Sequence, residues 1–507
     1  MNIKSRLEKF IMAAPGSTPA AAPGTLILAI FTAIRLVLVL DLIPAALSES
    51  LASPALASAL VNPLHTVHHL REGNFLLELA ASAAGEGNGG GTFDQAYEGM
   101  VFHLPPLVLF LFRPTFALVA SKDVQDAIIG VVFAVVDLGV ALTLYDLACS
   151  ILLDPTDASR REASLEAIME NRIRPMRAWV FGLVPREAGP RKEYIPAPIV
   201  EVRDLPRLCC LLYYCNPVSV LACCGTAVQS LHSLWYLAFL LSLREATKSA
   251  PNVPLATFFL SVVSYVELYP VVFLIPIALF IGRTRKSCIG TSVFGQAGIE
   301  CLIWFALWSG ALQALSALLV GDWVGVCSKT YGYVFGFSDL SPNMGMNWYF
   351  FIQMFDRFRR FYVVMLSLIP LVFVAPLTIR LRAYPAVLVA AFFLLGTLYK
   401  PVQTLHDASI GIVLLLLAPR TLARMGNAAL VCICAIPVPA SLYLMDYWLW
   451  LSTGSGNANY MFFQCLAYNA FLGICTLDFL SSSVKRDKAL RLTEKVREKA
   501  NAVAKAK

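Results

Sequence analysis

The sequence predicts an all-α polytopic membrane protein with about twelve transmembrane helices. Three observations predict it. Hydrophobic residues make up 58% of the 507-residue chain and charged residues only 14%, against roughly 25% charged in soluble domains. With a mean hydropathy of +0.68, that is more apolar surface than a water-soluble core of this length can use. The apolar residues gather into runs approaching the ~20 residues that a span needs, and Lys and Arg are concentrated in alternate loops, the asymmetry that sets orientation in a bilayer.

Residues 1–24 carry Lys4, Arg6 and Lys9 but no apolar stretch of their own. They are read as a cytosolic N-terminus, followed by a first span at 25–44 that acts as a signal anchor. The loop 45–100 has Arg71 as its single basic side chain besides histidine, together with a Gly-rich insert, "AGEGNGGGTF" at 84–93, expected to be flexible. The next segment, "VFHLPPLVLFLFRPTFALVA" at 101–120, is apolar but interrupted by Pro105, Pro106, Arg113 and Pro114. If it crossed, the loop 154–207, with Arg160, Arg161, Arg172, Arg174 and Arg177, would share a side with 45–100, against the charge rule. It is therefore expected to be interfacial or re-entrant.

Further spans are expected at 127–153, 208–223, 229–243, 255–268, 270–282, 296–320, 361–379, 384–399, 406–419, 428–450 and 460–481. Asn216-Pro217 and Tyr269-Pro270 predict broken helices, which survive at membrane depth only inside protein or beside a wet cavity. Residues 25–482 thus form one membrane domain, with 45–100 lumenal, 154–207 cytosolic and 321–358 a lumenal turn plus aromatic helix. Residues 483–507 form a basic cytosolic tail, expected to be a solvated helix drawn to anionic lipid. Both termini are then cytosolic.

This topology brings three short polar loops to the lumenal surface: "SDLSPNMG", "YKPVQTLHD" (399–407) and "STGSGNAN" (452–459). In the first, Asp339, Pro342 and Gly345 are expected to build a structural turn. It leads into a helix whose Trp348 and Tyr349 suit an interfacial belt. Asn343, Ser455, Asn457 and Asn459 are the candidate polar contacts. Asn457 and Asn459 alternate, so an extended loop points both amides to one side; alternatively Asn459 caps the helix that follows.

No catalytic constellation emerges. The 13 cysteines lie mostly inside apolar runs without a CxxC pair, as small buried hydrophobes do. Phosphate-loop, GxSxG and dinucleotide fingerprints are absent. "HTVHH" offers His65 and His69 at i, i+4 spacing, but no carboxylate or cysteine partner stands out and a polar loop is the expectation, so no metal and no cofactor are expected. The ionisable residues in or near spans (Arg35, Asp137, Asp146, His232, Glu267, Glu300, Asp446, Asp478) look scattered; Glu267, beside the Tyr269-Pro270 break, is the best functional candidate among them. After the first span Asp41 stands alone, with Glu49, Asp94 and Glu98 too dispersed to form an acidic pair.

"YGYVFGFSDLSPNMGMNWYFFIQMFDRF" (331–358) closely resembles the signature region of the PIG-U family, the polytopic subunit of the glycosylphosphatidylinositol (GPI) transamidase. "YEGMVFHLPPLVLFLF" (97–112), "YYCNPVSVL" (213–221), "YVELYPVVFLIP" (265–276) and "TGSGNANYMFF" (453–463) resemble further family segments in the same order. The insert 84–93, the loop 154–207 and the wording "KPVQTLHD" depart from the pattern. The resemblance implies a type-C membrane glycosyltransferase frame that has lost its acidic pair. It also implies a non-catalytic scaffold of an endoplasmic-reticulum complex that recognises and presents the GPI lipid. The implied partners are the other transamidase subunits, including a caspase-like catalytic one, the GPI lipid and the membrane, with no nucleic acid. The alternatives are an active dolichol-phosphate-mannose-dependent glycosyltransferase and, less favoured, a lipid or solute transporter, which would need paired repeats and a midplane polar site.

The charge map has a direct test. A glycosylation acceptor inserted at 84–93 is expected to be modified and one inserted at 185–190 is not; the opposite pattern would overturn the topology.

Overall fold

The computed structural model describes residues 24–44, 50, 53–62, 65–83, 96–97, 102–119, 121–153, 165, 200–224, 231–285, 295–336 and 340–506. The insert 84–93, most of the loop 154–207 and Asp339 lie outside the described residues. Regular structure among the described residues is helical, with no β-strand. The principal helices are α1 (Thr25–Val39), α2 (Val67–Ala83), α3 (Pro106–Leu118), α4 (Lys122–Leu152), α5 (Leu205–Tyr214), α6 (Pro217–Cys224), α7 (His232–Thr247), α8 (Val253–Val266), α9 (Leu274–Thr284) and α10 (Gln296–Leu319). They continue with α11 (Asn347–Gln353), α12 (Asp356–Leu381), α13 (Pro385–Tyr399), α14 (Leu405–Leu414), α15 (Asn427–Ala435), α16 (Pro437–Tyr447) and α17 (Ala458–Ala506).

Local chemistry sets many of these boundaries. Pro217 lacks the amide hydrogen that would continue α5, and the chain bends by 50° between α5 and α6. Pro270 likewise starts a 3₁₀ turn, Tyr269–Phe273, between α8 and α9. The Asn252 side chain accepts from the Leu255 amide and starts α8, and Thr404 accepts from the Asp407 amide and starts α14. Both proline breaks read from the sequence are therefore present.

The number of full-length spans differs from the expectation. Among the described residues five helices are long and apolar enough to cross a membrane: Lys122–Leu152, Gln296–Leu319, Asp356–Leu381, Asn427–Ser452 and Ala458–Val503; the bent pair of α5 and α6, counted as one span, makes a sixth. Six further apolar helices have only 10–17 residues. Hydropathy does not separate the two groups, because a helix buried in protein is as apolar as one facing lipid. In α13 Val387 through Phe392 are all buried, so a run that reads as a span is in large part protein core. The segment 101–120 contains α3, whose 13 residues extend about 20 Å, short of the roughly 30 Å hydrocarbon layer. The predicted span at 460–481 and the basic tail are one continuous helix, α17, of 49 residues.

The helices share one core. α4 packs against α1, α5 and α7; α7 continues onto α8, and α8 onto α10. On the other side α12, α13 and α14 pack in succession, and α17 packs on α13, α15 and α16. At the centre of the first group Arg35 and Asp137, neither with any exposed side-chain surface, form an ion pair of 2.5 Å. The guanidinium also donates to the Tyr214 carbonyl at 3.0 Å and to Ser219 Oγ at 2.8 Å, and stacks over the Tyr214 ring at 3.8 Å. The Tyr213 hydroxyl donates to the other Asp137 oxygen. Two charges that looked scattered in the sequence thus tie α1, α4, α5 and α6 together.

Removing one partner of such a pair strands the other, a loss of about 3–5 kcal/mol, whereas replacing both by apolar groups is often tolerated. Arg35→Met is expected to lower the thermal unfolding midpoint of the detergent-purified chain sharply, and Arg35→Met with Asp137→Leu to recover much of the loss. Equal midpoints for the single variant and the parent would exclude this role.

Candidate functional site

Two polar features stand at helix ends. The first joins the turn before α11, the loop before α17 and the loop 399–404. Asn343 is buried and its Oδ1 accepts from the Gly345 amide at 2.8 Å, an Asx-type closure of the turn. α17 then holds the turn from outside: Cys465 Sγ donates to the Asn343 carbonyl at 3.2 Å and Asn469 Nδ2 to the Met344 carbonyl at 2.9 Å. A Cβ at Gly345 would lie 2.8 Å from Asn343 Oδ1 and 3.3 Å from Gln403 Cγ, so only glycine lets the third loop close on the turn. Pro342 lies half-buried in the same turn.

The helix that follows is fixed by aromatic stacking. Trp348 is fully buried and stacks on Trp450, with centroids 6.1 Å apart. Its ring is core and not an interfacial contact, which corrects the sequence expectation: the tryptophan faces inward because α11 packs under the loop before α17. Tyr349 stacks on Phe462 at 4.0 Å, and its hydroxyl donates to Asn459 Oδ1 at 2.6 Å. Ser455, Asn457 and Asn459 are exposed. Asn457, and not Asn459, is the helix cap: its Oδ1 accepts from the amides of Asn459 at 3.0 Å and Tyr460 at 3.2 Å. Ser455 Oγ bonds Thr453 Oγ1 at 2.6 Å. Of the candidate residues, the structure therefore brings Tyr349 and Asn459 into contact at an exposed edge with Ser455 and Asn457. It places Asn343 and Trp348 beneath that edge as support.

The second feature was only partly visible. Glu267 ends α8, Lys400 ends α13, and Asp407 lies in the first turn of α14. Lys400 Nζ donates to Glu267 Oε1 at 2.8 Å and lies 3.5 Å from Asp407 Oδ2. Tyr236 donates to Asp407 Oδ1 at 2.5 Å. His65 and His232 close around the same Glu267 oxygen at 3.4 and 3.3 Å. Lys400 and the two imidazoles surround the Glu267 carboxylate and compensate its burial. Burial lowers the Lys400 ammonium, and Asp407 and Glu267 together raise it above the ordinary lysine value. Glu267, Lys400, Asp407 and His232 line one end of a cavity of about 100 Å³ whose remaining walls include Trp235, Phe239, Tyr269, Pro270 and Phe393. The Tyr269-Pro270 break does open a cavity beside Glu267, as its sequence context suggested.

The His65–His69 pair does not form. His65 precedes α2 and turns toward His232, while His69 bonds Glu72 at 2.7 Å. Lys400 and Asp407, both within the loop "YKPVQTLHD", were overlooked because their partner Glu267 is 133 positions from Lys400. The available signal was a lysine directly after an uncharged apolar run, "GTLYKP".

The description "GPI transamidase subunit PIG-U" belongs to the family whose profile matches residues 29–468. The chain belongs to the PIG-U family. It is 24% identical over 477 residues to the GPI-anchor transamidase component PIGU of Homo sapiens, covering 92% of this chain and 95% of the relative. The PIGU component of Mus musculus is similar at 25% over the same coverage. The GPI transamidase component GAB1 of Saccharomyces cerevisiae is 29% identical over 263 residues, covering 51% of this chain and 62% of the relative. The match to the family runs through both polar features, from before His65 to beyond Asn459.

Lys400 neutralises two carboxylates in a mostly enclosed place. Lys400→Met is expected to destabilise the purified chain by about 3–5 kcal/mol, because Glu267 and Asp407 then face one another without a cation. Adding Glu267→Gln should restore part of it. A Lys400→Met variant as heat-stable as the parent would rule out this electrostatic role.

Proposed function

We propose that this chain is a non-catalytic subunit of a GPI transamidase that recognises the GPI lipid and presents it to a separate catalytic subunit. The observation that carries the reading is the Tyr349–Asn459 contact, which joins the segment most like the family signature to the Gly/Ser/Asn loop. It forms a polar edge beside exposed Phe350, Tyr460 and Phe463. Amides and a hydroxyl at that edge suit sugar hydroxyls and phosphates, and the aromatic faces suit the glycerolipid below them. On this reading the edge is lumenal, both termini are cytosolic, the chain crosses the endoplasmic-reticulum membrane about twelve times with some short and broken helices, and α3 does not cross. The caspase-like subunit supplies the nucleophile; this chain supplies position. The fold is of the type-C glycosyltransferase kind, working without sugar transfer.

The test uses cells lacking their own PIG-U-type subunit, with this chain supplied in its place and a GPI-anchored reporter read at the surface. The parent chain is expected to restore the reporter and to co-purify with the caspase-like subunit. Asn459→Ala should reduce attachment with the complex still assembled. A hydrogen bond to a charged phosphate is worth roughly 1.5–3 kcal/mol and one to a sugar hydroxyl roughly 1 kcal/mol. Because Asn457 caps α17, Asn457→Ala also loses about 1 kcal/mol of helix stability, whereas Asn457→Ser keeps a capping oxygen and isolates the contact with the lipid. Normal reporter levels with Asn457→Ser/Asn459→Ala at normal expression would remove these residues from the site.

A further inference from the structure

His65, His232 and Glu267 come from three separate parts of the chain: the segment before α2, the first residue of α7 and the end of α8. Their meeting is enforced by the backbone, since the Leu231 amide donates to the His65 carbonyl at 3.0 Å and so sets His65 beside the start of α7. Three donor atoms then face one another: His65 Nδ1 and His232 Nε2 are 3.3 Å apart, His232 Nε2 and Glu267 Oε1 3.3 Å, and His65 Nδ1 and Glu267 Oε1 3.4 Å. All three edges of this triangle are longer than the 2.7–3.2 Å typical of N–H···O bonds. They match what a shared cation requires. Bonds of about 2.0–2.1 Å in a tetrahedral arrangement put neighbouring donors about 3.3–3.4 Å apart.

We propose that these three residues form a binding site for a divalent cation of the zinc class. Two imidazoles and one carboxylate are a donor set that zinc accepts. The fourth position opens on the cavity of about 100 Å³ that His232 and Glu267 line, which has room for a water or an oxygen ligand. Lys400 donates to the same Glu267 Oε1 at 2.8 Å, and a carboxylate oxygen carries two lone pairs, so cation and ammonium can share it, with Asp407 at 3.5 Å as the second anion for Lys400. The bound cation would clip His65, just ahead of α2, onto α7 and α8. The site is independent of the GPI-lipid reading, since it lies at the cavity and not at the Tyr349–Asn459 edge.

The chain also carries a competing group, His68, His69 and Glu72, at the surface of α2. The experiment separates the two. The full chain, purified in detergent and stripped with chelator, is titrated with Co²⁺ and read by its ligand-field absorption, then back-titrated with Zn²⁺. The expected result is an intense tetrahedral band that saturates at one equivalent and is displaced by Zn²⁺, with a rise in the thermal unfolding midpoint on adding Zn²⁺. His65→Ala should weaken Co²⁺ binding by more than the roughly 10–100-fold that loss of an outer partner causes, and His68→Ala/His69→Ala should leave the titration unchanged. Absence of a saturating tetrahedral band, or a band that survives His65→Ala and vanishes with His68→Ala/His69→Ala, would overturn the proposal. Should His65→Ala fail to fold, the comparison between the parent and His68→Ala/His69→Ala still decides, because a band kept in the latter assigns the site to the three-part cluster and a band lost assigns it to the surface.

Discussion

A guanidinium with no exposed surface is the constraint on which one half of this structure depends. Arg35 sits inside an otherwise apolar helix, and a charge there is costly unless it is paired and its donors are used. The fold meets that demand with Asp137, the Tyr214 carbonyl and Ser219, one contribution each from α4, α5 and α6. The break at Asn216-Pro217 follows the same logic. Bending the chain by 50° there leaves the Tyr214 carbonyl outside a regular helix ladder, available to Arg35, while α6 turns back to present Ser219. A straight helix through this region would keep the carbonyl occupied and leave part of the guanidinium unsatisfied.

How much of this could be read beforehand depended on how local each signal was. The proline breaks and the long apolar runs are written in contiguous residues, and they appear close to where the sequence suggested. Among the described residues fewer helices are full-length than the sequence suggested, because α8, α13 and α14 are as apolar as lipid-facing helices but short and packed largely on protein. Charge pairing was not legible at all: Arg35 and Asp137 are 102 positions apart, and Lys400 and Glu267 are 133. The candidate edge was half legible. Tyr349 and Asn459 were named, but that Trp348 turns inward and that Asn457 does the capping depend on how α11 seats under the loop before α17.

The helix α17 relates the two polar features to each other. Its first turns hold the turn at 343–345 through Cys465 and Asn469, and Tyr468 on the same helix donates to the Thr404 carbonyl at 3.4 Å. Thr404 in turn caps α14 and bonds Asp407 Oδ2 at 3.0 Å. Three successive turns of one helix therefore carry Asn459 at the exposed edge, Cys465 under the turn and Tyr468 beside the ion cluster. The loop at 399–404 and the turn that seats Tyr349 thus share one helical support, through buried hydrogen bonds within a close-packed core.

That arrangement also explains why an aromatic helix follows an ordered polar turn. A turn that only had to reverse the chain would need neither a buried asparagine nor a glycine pressed against Gln403. Here the turn must deliver Trp348 into the core and, one residue later, Tyr349 to the surface, and an uncertain backbone would exchange the two. Asn343 removes that freedom by accepting from Gly345, and the α17 donors to carbonyls 343 and 344 close the register from outside. The polar groups are spent on geometry beneath the edge, which leaves the hydroxyl of Tyr349 and the amide of Asn459 positioned at it.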